Sequence, residues 1–271
     1  MHLLSNIQLR GKNMDKYTLI TGAGCGLGKE LALIYASRNN NLLLVDINEM
    51  NLNVVKEEIL KLNSNIQVET LVYDLTLKEN LKSILKYTVD NNIFVNRLIN
   101  GAGFGDRNDF KDMDIDTQLK MNALNVDALL YFTRVFLDDM LKNKEGEILN
   151  ISSIAGFMPG TYMCTYHATK AYVLNLGEAL SCELKGTGVT LTTLCPGPFL
   201  SNFVKVAGND YTFKKIKPVT AKKVAELGVK ALDKKKHFYI VGFKNRLTCF
   251  GIRFLPRNLV AKLSGDMMKK K

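Results

Sequence analysis

The stretch Tyr17-Thr-Leu-Ile-Thr-Gly-Ala-Gly-Cys-Gly-Leu-Gly28 decides the fold of this 271-residue chain. Its first five residues are mostly apolar or β-branched, which predicts a short strand. A glycine-rich turn follows, and residues 29–37 have helical spacing. Strand, glycine turn and helix together are typical of a phosphate site, because glycines admit a close ligand and the helix N-terminus offers free N–H groups. The spacing Gly22-x-x-x-Gly26-x-Gly28 differs from the commonest dinucleotide fingerprint. A glycine turn without a ligand is the alternative.

A second apolar run, Asn41-Leu-Leu-Leu-Val-Asp46, predicts a buried strand that ends in an acid. Asp46 lies close to the offset of about 20 residues at which a carboxylate accepts the ribose hydroxyls of a dinucleotide. The same charge would repel a 2′-phosphate, and no Arg or Lys immediately follows Asp46 or lies between Gly22 and Gly28. The pattern therefore favours NAD(H), with NADP(H) still possible. The alternative is that Asp46 only caps the next helix.

Strand and helix patterns alternate along most of the chain. The predicted strands are residues 17–21, 41–46, 66–73, 95–100, 147–151, 189–195 and 237–241. The predicted helices are residues 29–37, 51–62, 77–89, 117–141, 166–184 and 220–233. The alternation predicts a single α/β domain with a Rossmann-type, doubly wound parallel sheet of about seven strands and helices on both faces. Ligands bind beyond the carboxyl ends of such strands. The residues expected at that edge are Gly22, Asp46, Asp74, Asn100, Ser153 and Pro196.

Tyr166 and Lys170 are four residues apart, so a helix would place them on one face. An ammonium near a phenol favours the phenolate, which lets a tyrosine exchange a proton near neutral pH. Ser153, on a loop after an apolar strand, would reach the same place and hydrogen-bond a substrate oxygen. Tyr-x-x-x-Lys alone is a weak signal, because both residues are common on helix surfaces. The glycine turn upstream is what makes the catalytic interpretation the better one.

Composition excludes several other classes of protein. No apolar run approaches the roughly 20 residues that span a bilayer, and the first residues lack the apolar core of a signal peptide, so we expect a cytoplasmic protein. The five cysteines are scattered, without a Cys-x-x-Cys pair, and the three histidines are far apart in the sequence. We therefore expect neither disulfides nor a metal site.

Three segments are expected: a disordered extension at residues 1–13, the Rossmann-type domain at residues 14–243, and a basic tail at residues 244–271. Residues 214–271 contain 17 Lys and Arg but only three acidic residues. Such a segment could bind anionic lipid, nucleic acid or an acidic substrate. The alternative is that its lysines only form a solvated surface without a partner. We expect no nucleic acid. The tail also carries a partly amphipathic apolar stripe, which we expect to pack on the domain or a partner subunit, with weak contact to a membrane surface as the alternative.

The chain resembles the classical short-chain dehydrogenase/reductase superfamily over about residues 15–243. The landmarks that match in order are Thr21-Gly-x-x-x-Gly-x-Gly28, Asp74, Asn100-x-Ala-Gly103, Ser153 with Tyr166-x-x-x-Lys170, and Pro196-Gly197. The C-terminal sequence is similar to that of a generic bacterial branch. Two positions depart from the pattern. Gly101 stands where a second Asn is usual, and Asp46 stands where many members of this branch have a residue followed by Arg.

The resemblance implies a role for each matching residue. Tyr166 would be the general acid/base, Lys170 would hold the nicotinamide ribose, and Ser153 rather than Ser152 would bind the substrate oxygen. Asn122 would support a water-linked proton relay. The implied catalytic set is Asn122, Ser153, Tyr166 and Lys170. The implied cofactor-binding set is Gly22, Cys25, Gly26, Leu27, Gly28, Asp46, Asp74, Leu75, Asn100, Ala102, Gly103, Tyr166, Lys170, Pro196, Gly197, Phe199 and Ser201.

The implied function is an NAD(P)(H)-dependent oxidoreductase that interconverts a secondary alcohol and a ketone or aldehyde by direct hydride transfer. One alternative is a catalytically silent dinucleotide-binding regulator. Another is a peripheral membrane enzyme that acts on lipid-like or steroid substrates. A pocket drawing on Phe104, Phe157, Phe199 and Phe203 would favour an apolar small-molecule substrate. The helices at residues 117–141 and 166–184 resemble those that form homodimer or homotetramer contacts in the superfamily.

Overall fold

Seven parallel strands form the central sheet of the protein, seen in a computed structural model that describes residues 14–200 and 219–268. Their order across the sheet is β3-β2-β1-β4-β5-β6-β9. The strands are β1 (Asp15–Thr21), β2 (Asn41–Asp46), β3 (Val68–Val72), β4 (Ile93–Asn100), β5 (Gly146–Ile151), β6 (Val189–Cys195) and β9 (Phe238–Ile240). Two short strands, β7 (Phe199–Leu200) and β8 (Val219–Thr220), form a separate parallel pair. The predicted doubly wound α/β fold is confirmed.

Helices connect the strands and cover both faces of the sheet. They are α1 (Gly26–Ser37), α2 (Glu49–Leu62), α3 (Lys78–Asp90), α4 (Ile115–Asn122), α5 (Leu129–Asn143), α6 (Cys164–Glu183), α7 (Ala221–Asp233), α8 (Phe243–Gly251) and α9 (Arg257–Met268). Among the residues described, no helix combines the length and the apolar character needed to cross a bilayer.

The strands are buried on both faces, which explains their continuous apolar runs. Leu42 and Leu44 pack into one core cluster with helices α1 and α7, whereas Leu43 and Val45 pack into a second cluster on the opposite face. All four side chains are fully buried. Because successive strand residues point to opposite faces, this single run fills two cores. Truncating one such leucine to alanine typically costs about 2–5 kcal/mol.

The strand order reverses next to β1, which pairs with β2 on one side and β4 on the other. The loops that leave β1 and β4 therefore diverge and leave a crevice between them, where ligands of doubly wound sheets bind. Asn100 ends β4 at this point and is buried. Its amide donates to Asn150 Oδ1 at 2.8 Å and to Thr133 Oγ1 at 3.0 Å, and so ties the strand to β5 and α5.

The predicted helix at residues 117–141 is a composite of three segments. Helix α4 leads into a π-helical segment, Ala123–Ala128, which continues as α5. A π-helical turn holds an extra residue, so it changes which side chains face inward. Helix α6 begins at Cys164, and Tyr166 therefore lies inside its first turn rather than opening the helix.

The C-terminal segment after residue 242 forms helices α8 and α9, which contact the domain. Val260 and Ser264 are buried, and Thr161 Oγ1 donates to the carbonyl of Ala261 at 2.7 Å. The side chain of Arg107 donates to the carbonyl of Met268. Helix α9 therefore closes one side of the cavity that lies at the carboxyl edge of the sheet.

Candidate active site

A cavity of about 590 Å³ lies at the carboxyl edge of the sheet. It runs from the glycine turn after β1, past the ends of β2, β4, β5 and β6, to helices α8 and α9. Most of the residues predicted to bind a cofactor or to act in catalysis line it. They are Gly22, Cys25, Gly26, Leu27, Gly28, Asp46, Asp74, Leu75, Ala102, Gly103, Ser153, Tyr166, Lys170, Pro196, Gly197 and Phe199. Ser201 lies outside the described residues.

The glycine turn has a backbone shape that favours glycine. Gly22 has φ of +69° and Gly26 has φ of +56°, both in the left-handed region. A Cβ atom on Gly22 would lie 2.9 Å from Ala102 Cα, and one on Gly28 would lie 2.0 Å from the Gly22 carbonyl oxygen. The turn places the N-terminus of α1 against the cavity, where its unpaired N–H groups and partial positive charge suit a pyrophosphate. The residues present therefore fit a dinucleotide.

Asp46 is held between the glycine turn and the start of α2. Its Oδ2 accepts a hydrogen bond from the Gly24 N–H at 2.8 Å, and its Oδ1 accepts one from the Asn48 N–H at 3.0 Å. A Cβ atom on Gly24 would lie 2.9 Å from Asp46 Cγ, so the contact depends on that glycine. Lys170 is the one Lys or Arg among the described residues that line the cavity. The Asp46 end is therefore acidic.

Asp74 and Leu75 follow β3 and line the cavity. Strand β3 lies next to β2, which ends at Asp46. Asp74 Oδ1 accepts hydrogen bonds from the N–H and the hydroxyl of Thr76, at 2.9 and 2.7 Å. Asn100, by contrast, does not line the cavity. Its amide lies behind the loop, bonded to the residues that hold β4 in place.

Tyr166, Lys170 and Ser153 meet at the other end of the cavity. Lys170 is only 6% exposed, its Nζ donates to the carbonyl of Ile151 at 2.9 Å, and it lies 5.7 Å from the centre of the Tyr166 ring. The Ser153 hydroxyl hydrogen-bonds the Tyr166 phenol. The neighbouring Ser152 is buried, and its Oγ donates to the Lys170 carbonyl at 2.8 Å. Of the two serines, Ser153 therefore presents its hydroxyl to the phenol, whereas Ser152 is directed to the backbone of α6.

Burial changes the acidity of both titratable groups at this end. Burial raises the pKa of Tyr166 to about 12, and the hydrogen bond from Ser153 only partly offsets this effect. Burial lowers the pKa of Lys170 to about 8. In the protein by itself the pKa of Tyr166 thus lies well above neutral, contrary to the sequence-based expectation, because burial of the phenol outweighs the hydrogen bond.

Asn122, to which the resemblance assigned a water-linked proton relay, does not line the cavity. Asn122 is exposed on α4, and the buried amide is Asn125, three residues later in the π-helical segment. Asn125 Nδ2 donates to the Phe104 carbonyl at 2.9 Å and to Thr169 Oγ1 at 3.1 Å, and its Oδ1 accepts from the Phe104 N–H at 3.0 Å. A Cβ atom on Gly103 would lie 2.8 Å from that oxygen and 3.4 Å from Lys170 Nζ. The sequence feature that could have identified Asn125 is its position between two apolar residues, Leu124 and Val126.

The wall beyond Tyr166 is largely apolar and includes residues that the sequence did not single out. They are Leu124, Ile154, Met158, Met163, His167, Asn245, Thr248, Ser264, Met267 and Met268. His167 Nδ1 lies 2.9 Å from the Met158 carbonyl, and burial lowers the pKa of this imidazole. Phe104 and Phe199 line the cavity as expected. Phe157 does not line it and packs against Phe238 at 6.1 Å between ring centres, and Phe203 is outside the described residues.

Within residues 14–200 and 219–268, no three His, Cys, Asp or Glu side chains are grouped as a metal would require.

Comparison with known proteins identifies related oxidoreductases. Residues 16–212 match a family model described as short chain dehydrogenase. An uncharacterised oxidoreductase of Staphylococcus aureus strain USA300 is 30% identical over 223 residues, which cover 82% of this chain and 93% of the relative. An uncharacterised oxidoreductase of Staphylococcus epidermidis is 28% identical over 226 residues, or 83% and 94% of the two chains.

Solved structures share the fold at lower identity. A short-chain dehydrogenase from Sphingobium yanoikuyae, solved with NADPH, is 24% identical with a TM-score of 0.79 and covers 94% of this chain and 96% of its own. A short-chain dehydrogenase/reductase from Burkholderia phymatum, solved with NAD, is 22% identical with a TM-score of 0.79, covering 88% and 92%. A structure described for 7beta-hydroxysteroid dehydrogenase stereoselectivity is 21% identical with a TM-score of 0.83, covering 92% and 96%.

Proposed function

The chain belongs to the short-chain dehydrogenase family, and from this we propose that it is an NAD(H)-dependent oxidoreductase that interconverts an apolar ketone or aldehyde and the corresponding alcohol. The observation that carries the proposal is the shared cavity. Its one end is the glycine turn with Asp46, and its other end holds Tyr166 with Ser153 and Lys170. The dinucleotide site and the proton donor of this proposal therefore line one cavity.

When bound, the dinucleotide supplies or accepts the hydride, which is chemistry that no side chain provides. The protein supplies the proton and the orientation. In the reducing direction, Ser153 and Tyr166 donate hydrogen bonds to the carbonyl oxygen, and Tyr166 gives up its proton as the oxygen gains charge. Carbonyl, hydride and proton together make the alcohol. The protonated Lys170 stabilises the phenolate that remains.

Asn125 acts in this proposal as a positioning residue. It holds the Phe104 backbone through two hydrogen bonds and lies against Gly103, next to Lys170. The loop after β4 and the lysine therefore keep a fixed separation, which is what a reaction between two bound molecules requires.

The choice of NAD(H) over NADP(H) is supported by charge. The Asp46 carboxylate faces the cavity, and its two oxygens are fixed by backbone N–H groups, so it cannot swing away without breaking both bonds. A 2′-phosphate beside it would meet a like charge, and no Lys or Arg of the described lining lies at that end to offset it. Ribose hydroxyls, as donors, suit the carboxylate.

The apolar character of the substrate is supported by the wall of the cavity beyond Tyr166, which includes Leu124, Met158, Met163 and Met267. Methionine side chains adapt to irregular apolar shapes, so this wall suits a bulky hydrophobic body attached to the carbonyl. Among proteins that share the fold, one is described as a bulky-bulky ketone specific alcohol dehydrogenase from Comamonas testosteroni, with a TM-score of 0.75. We infer a similar substrate class for this chain.

The test is a carbonyl screen with the purified full chain and NADH, with turnover followed as loss of NADH absorbance. We expect bulky apolar ketones to be reduced, and Tyr166→Phe to lower kcat by about 10²–10⁴-fold because the proton donor is lost. The matched control is Tyr172→Phe, which removes a phenol from the exposed face of the same helix and should leave kcat unchanged. Activity retained by Tyr166→Phe, or failure of the wild type to bind either dinucleotide, would refute the proposal.

A further inference from the structure

Helix α8 and the 3₁₀ turn after it present an apolar stripe to the outside. Phe243, Leu247, Phe250 and Phe254 follow one another at spacings of four, three and four residues, which places them on one helix face. They are 69%, 55%, 59% and 73% exposed, and the rings of Phe250 and Phe254 touch edge to face at 5.2 Å. We call these four residues the C-terminal apolar face. A contiguous patch of this kind marks an interaction site rather than an ordinary surface.

The opposite side of α8 is held by the protein. Cys249 is 2% exposed in a small core cluster, and Asn245 Nδ2 donates to the Val241 carbonyl at 2.6 Å. Asn245 and Thr248 also line the cavity. The helix is thus fixed on its inner side, and its aromatic side faces outward without a partner among the described residues.

The sequence around this face is basic without interruption. Between residues 234 and 265 there are eight Lys or Arg and no Asp or Glu. They are Lys234, Lys235, Lys236, Lys244, Arg246, Arg253, Arg257 and Lys262. On α8 and the turn after it, Lys244, Arg246 and Arg253 are exposed and flank the aromatic stripe. An apolar face with a basic rim is the pattern of a helix that lies in the surface of an anionic bilayer.

The same charges argue against a second copy of the chain as the occupant. A two-fold contact brings the same patch of both subunits together. Here it would bring Lys244, Arg246 and Arg253 of both subunits together, and the Glu178 carboxylate near Arg253 offsets only part of that charge. Like charges across an interface cost several kcal/mol. A bilayer that contains anionic lipid accepts both the aromatic side chains and the surrounding charge.

We propose that the C-terminal apolar face docks the protein on anionic membranes. Thr248 and Met267 are exposed and also line the cavity, so the cavity opens between α8 and α9. Docking through the outer side of α8 therefore brings that opening to within about one helix diameter, roughly 10 Å, of the lipid. On the proposed function, an apolar carbonyl compound would then enter from the bilayer rather than from water.

The experiment is vesicle flotation of the full chain with neutral phosphatidylcholine vesicles and with vesicles that also contain phosphatidylglycerol. We expect binding to the anionic vesicles that weakens with salt. Phe250→Ser/Phe254→Ser should weaken it by about tenfold or more. Lys244→Gln/Arg246→Gln/Arg253→Gln should weaken it by about 100-fold, at roughly fivefold for each charge near the surface.

The matched control is Ile115→Ser/Leu119→Ser, which removes two exposed apolar side chains at helical spacing from α4. It should bind vesicles like the wild type. NADH binding by every variant reports folding and does not depend on lipid, so failure of docking is separable from failure of the proposed function. Three results would overturn the inference. They are no binding of the wild type to anionic vesicles, unchanged binding by Phe250→Ser/Phe254→Ser while the charge variant loses it, or an oligomer that Phe250→Ser/Phe254→Ser dissociates while vesicle binding stays intact.

Discussion

The amide of Asn125 holds the backbone of Phe104 from both sides: it accepts from the N–H at 3.0 Å and donates to the carbonyl at 2.9 Å. Asn125→Ala would leave both backbone groups without these partners in a partly buried place. We expect a loss of about 2 kcal/mol in the free energy of unfolding, since an unsatisfied buried group costs about 1–3 kcal/mol. We also expect a fall in kcat larger than any change in KM, measured by denaturant titration and steady-state kinetics.

Asn122→Ala is the control for this prediction, because Asn122 is exposed one turn earlier. Its free energy of unfolding should change by less than about 0.5 kcal/mol and its kcat should stay the same. The positioning role would be disproved by equal effects of the two substitutions, or by an Asn125 variant that loses stability at unchanged kcat.

Asp46→Asn should weaken the preference for NADH over NADPH. The substitution keeps the shape of the side chain and removes its charge, and like charges about 4 Å apart near a protein surface repel by up to about 4 kcal/mol. We expect the ratio of the two dissociation constants to shift by about tenfold or more, measured by fluorescence titration. Asp74→Asn removes the charge of another carboxylate that lines the cavity and should not shift the ratio. A wild type that prefers NADPH would contradict the role assigned to Asp46.

Lys170→Met should make the protein more stable near pH 7 while it removes activity. The pKa of Lys170 is about 8 in the folded protein against an ordinary value of 10.5, so the unfolded chain binds more protons between these values. The free energy of unfolding of the wild type therefore rises as pH increases from about 8 to 10.5, and below this window the buried charge costs about 3 kcal/mol. Allowing about 1 kcal/mol for the lost bond to Ile151, the variant gains about 2 kcal/mol.

This gain should shrink to zero or below by about pH 10.5, where the wild-type lysine is neutral in the folded protein and has lost about half of its charge in the unfolded chain. Denaturant titrations at several pH values measure it. Lys120→Met, at an exposed position of α4, should show no such change with pH. A gain for Lys170→Met that does not vary with pH would mean that packing, rather than the buried charge, explains it.

Gly22→Ala should damage both stability and dinucleotide binding. Its φ of +69° costs an alanine about 1–2 kcal/mol, and the new Cβ would lie 2.9 Å from Ala102 Cα, which forces the two loops apart. Gly251→Ala is the opposite case. Its φ is −64°, and among the described residues no atom outside its own helical turn lies within 4 Å of the new Cβ. It should be neutral or add up to about 1 kcal/mol. Thermal unfolding and NADH titration of both variants check the contrast.

The sheet could be predicted from the sequence because its strands are sharply bounded. The apolar run of β2 begins at Asn41 and ends at Asp46, and β6 covers residues 189–195, both as predicted. These strands are buried on both faces, so the change from apolar to polar residues coincides with the change from core to edge.

Asn122 shows where the pattern fails. Regular helical spacing assigns a face to each residue between 117 and 141, but the π-helical turn at Ala123–Ala128 adds a residue and rotates the face that points inward. No local sequence signal marks such a turn. The pKa of Tyr166 was missed for a similar reason, because burial depends on chain segments that are remote in sequence.

The cavity is lined by segments that are far apart in the sequence. The glycine turn and Asp46 lie within the first 50 residues of the sequence, whereas Thr248, Ser264 and Met267 lie on α8 and α9, some 200 residues later. Substitutions on α8 and α9 can therefore change the shape of one wall of the cavity without altering the residues of the glycine turn.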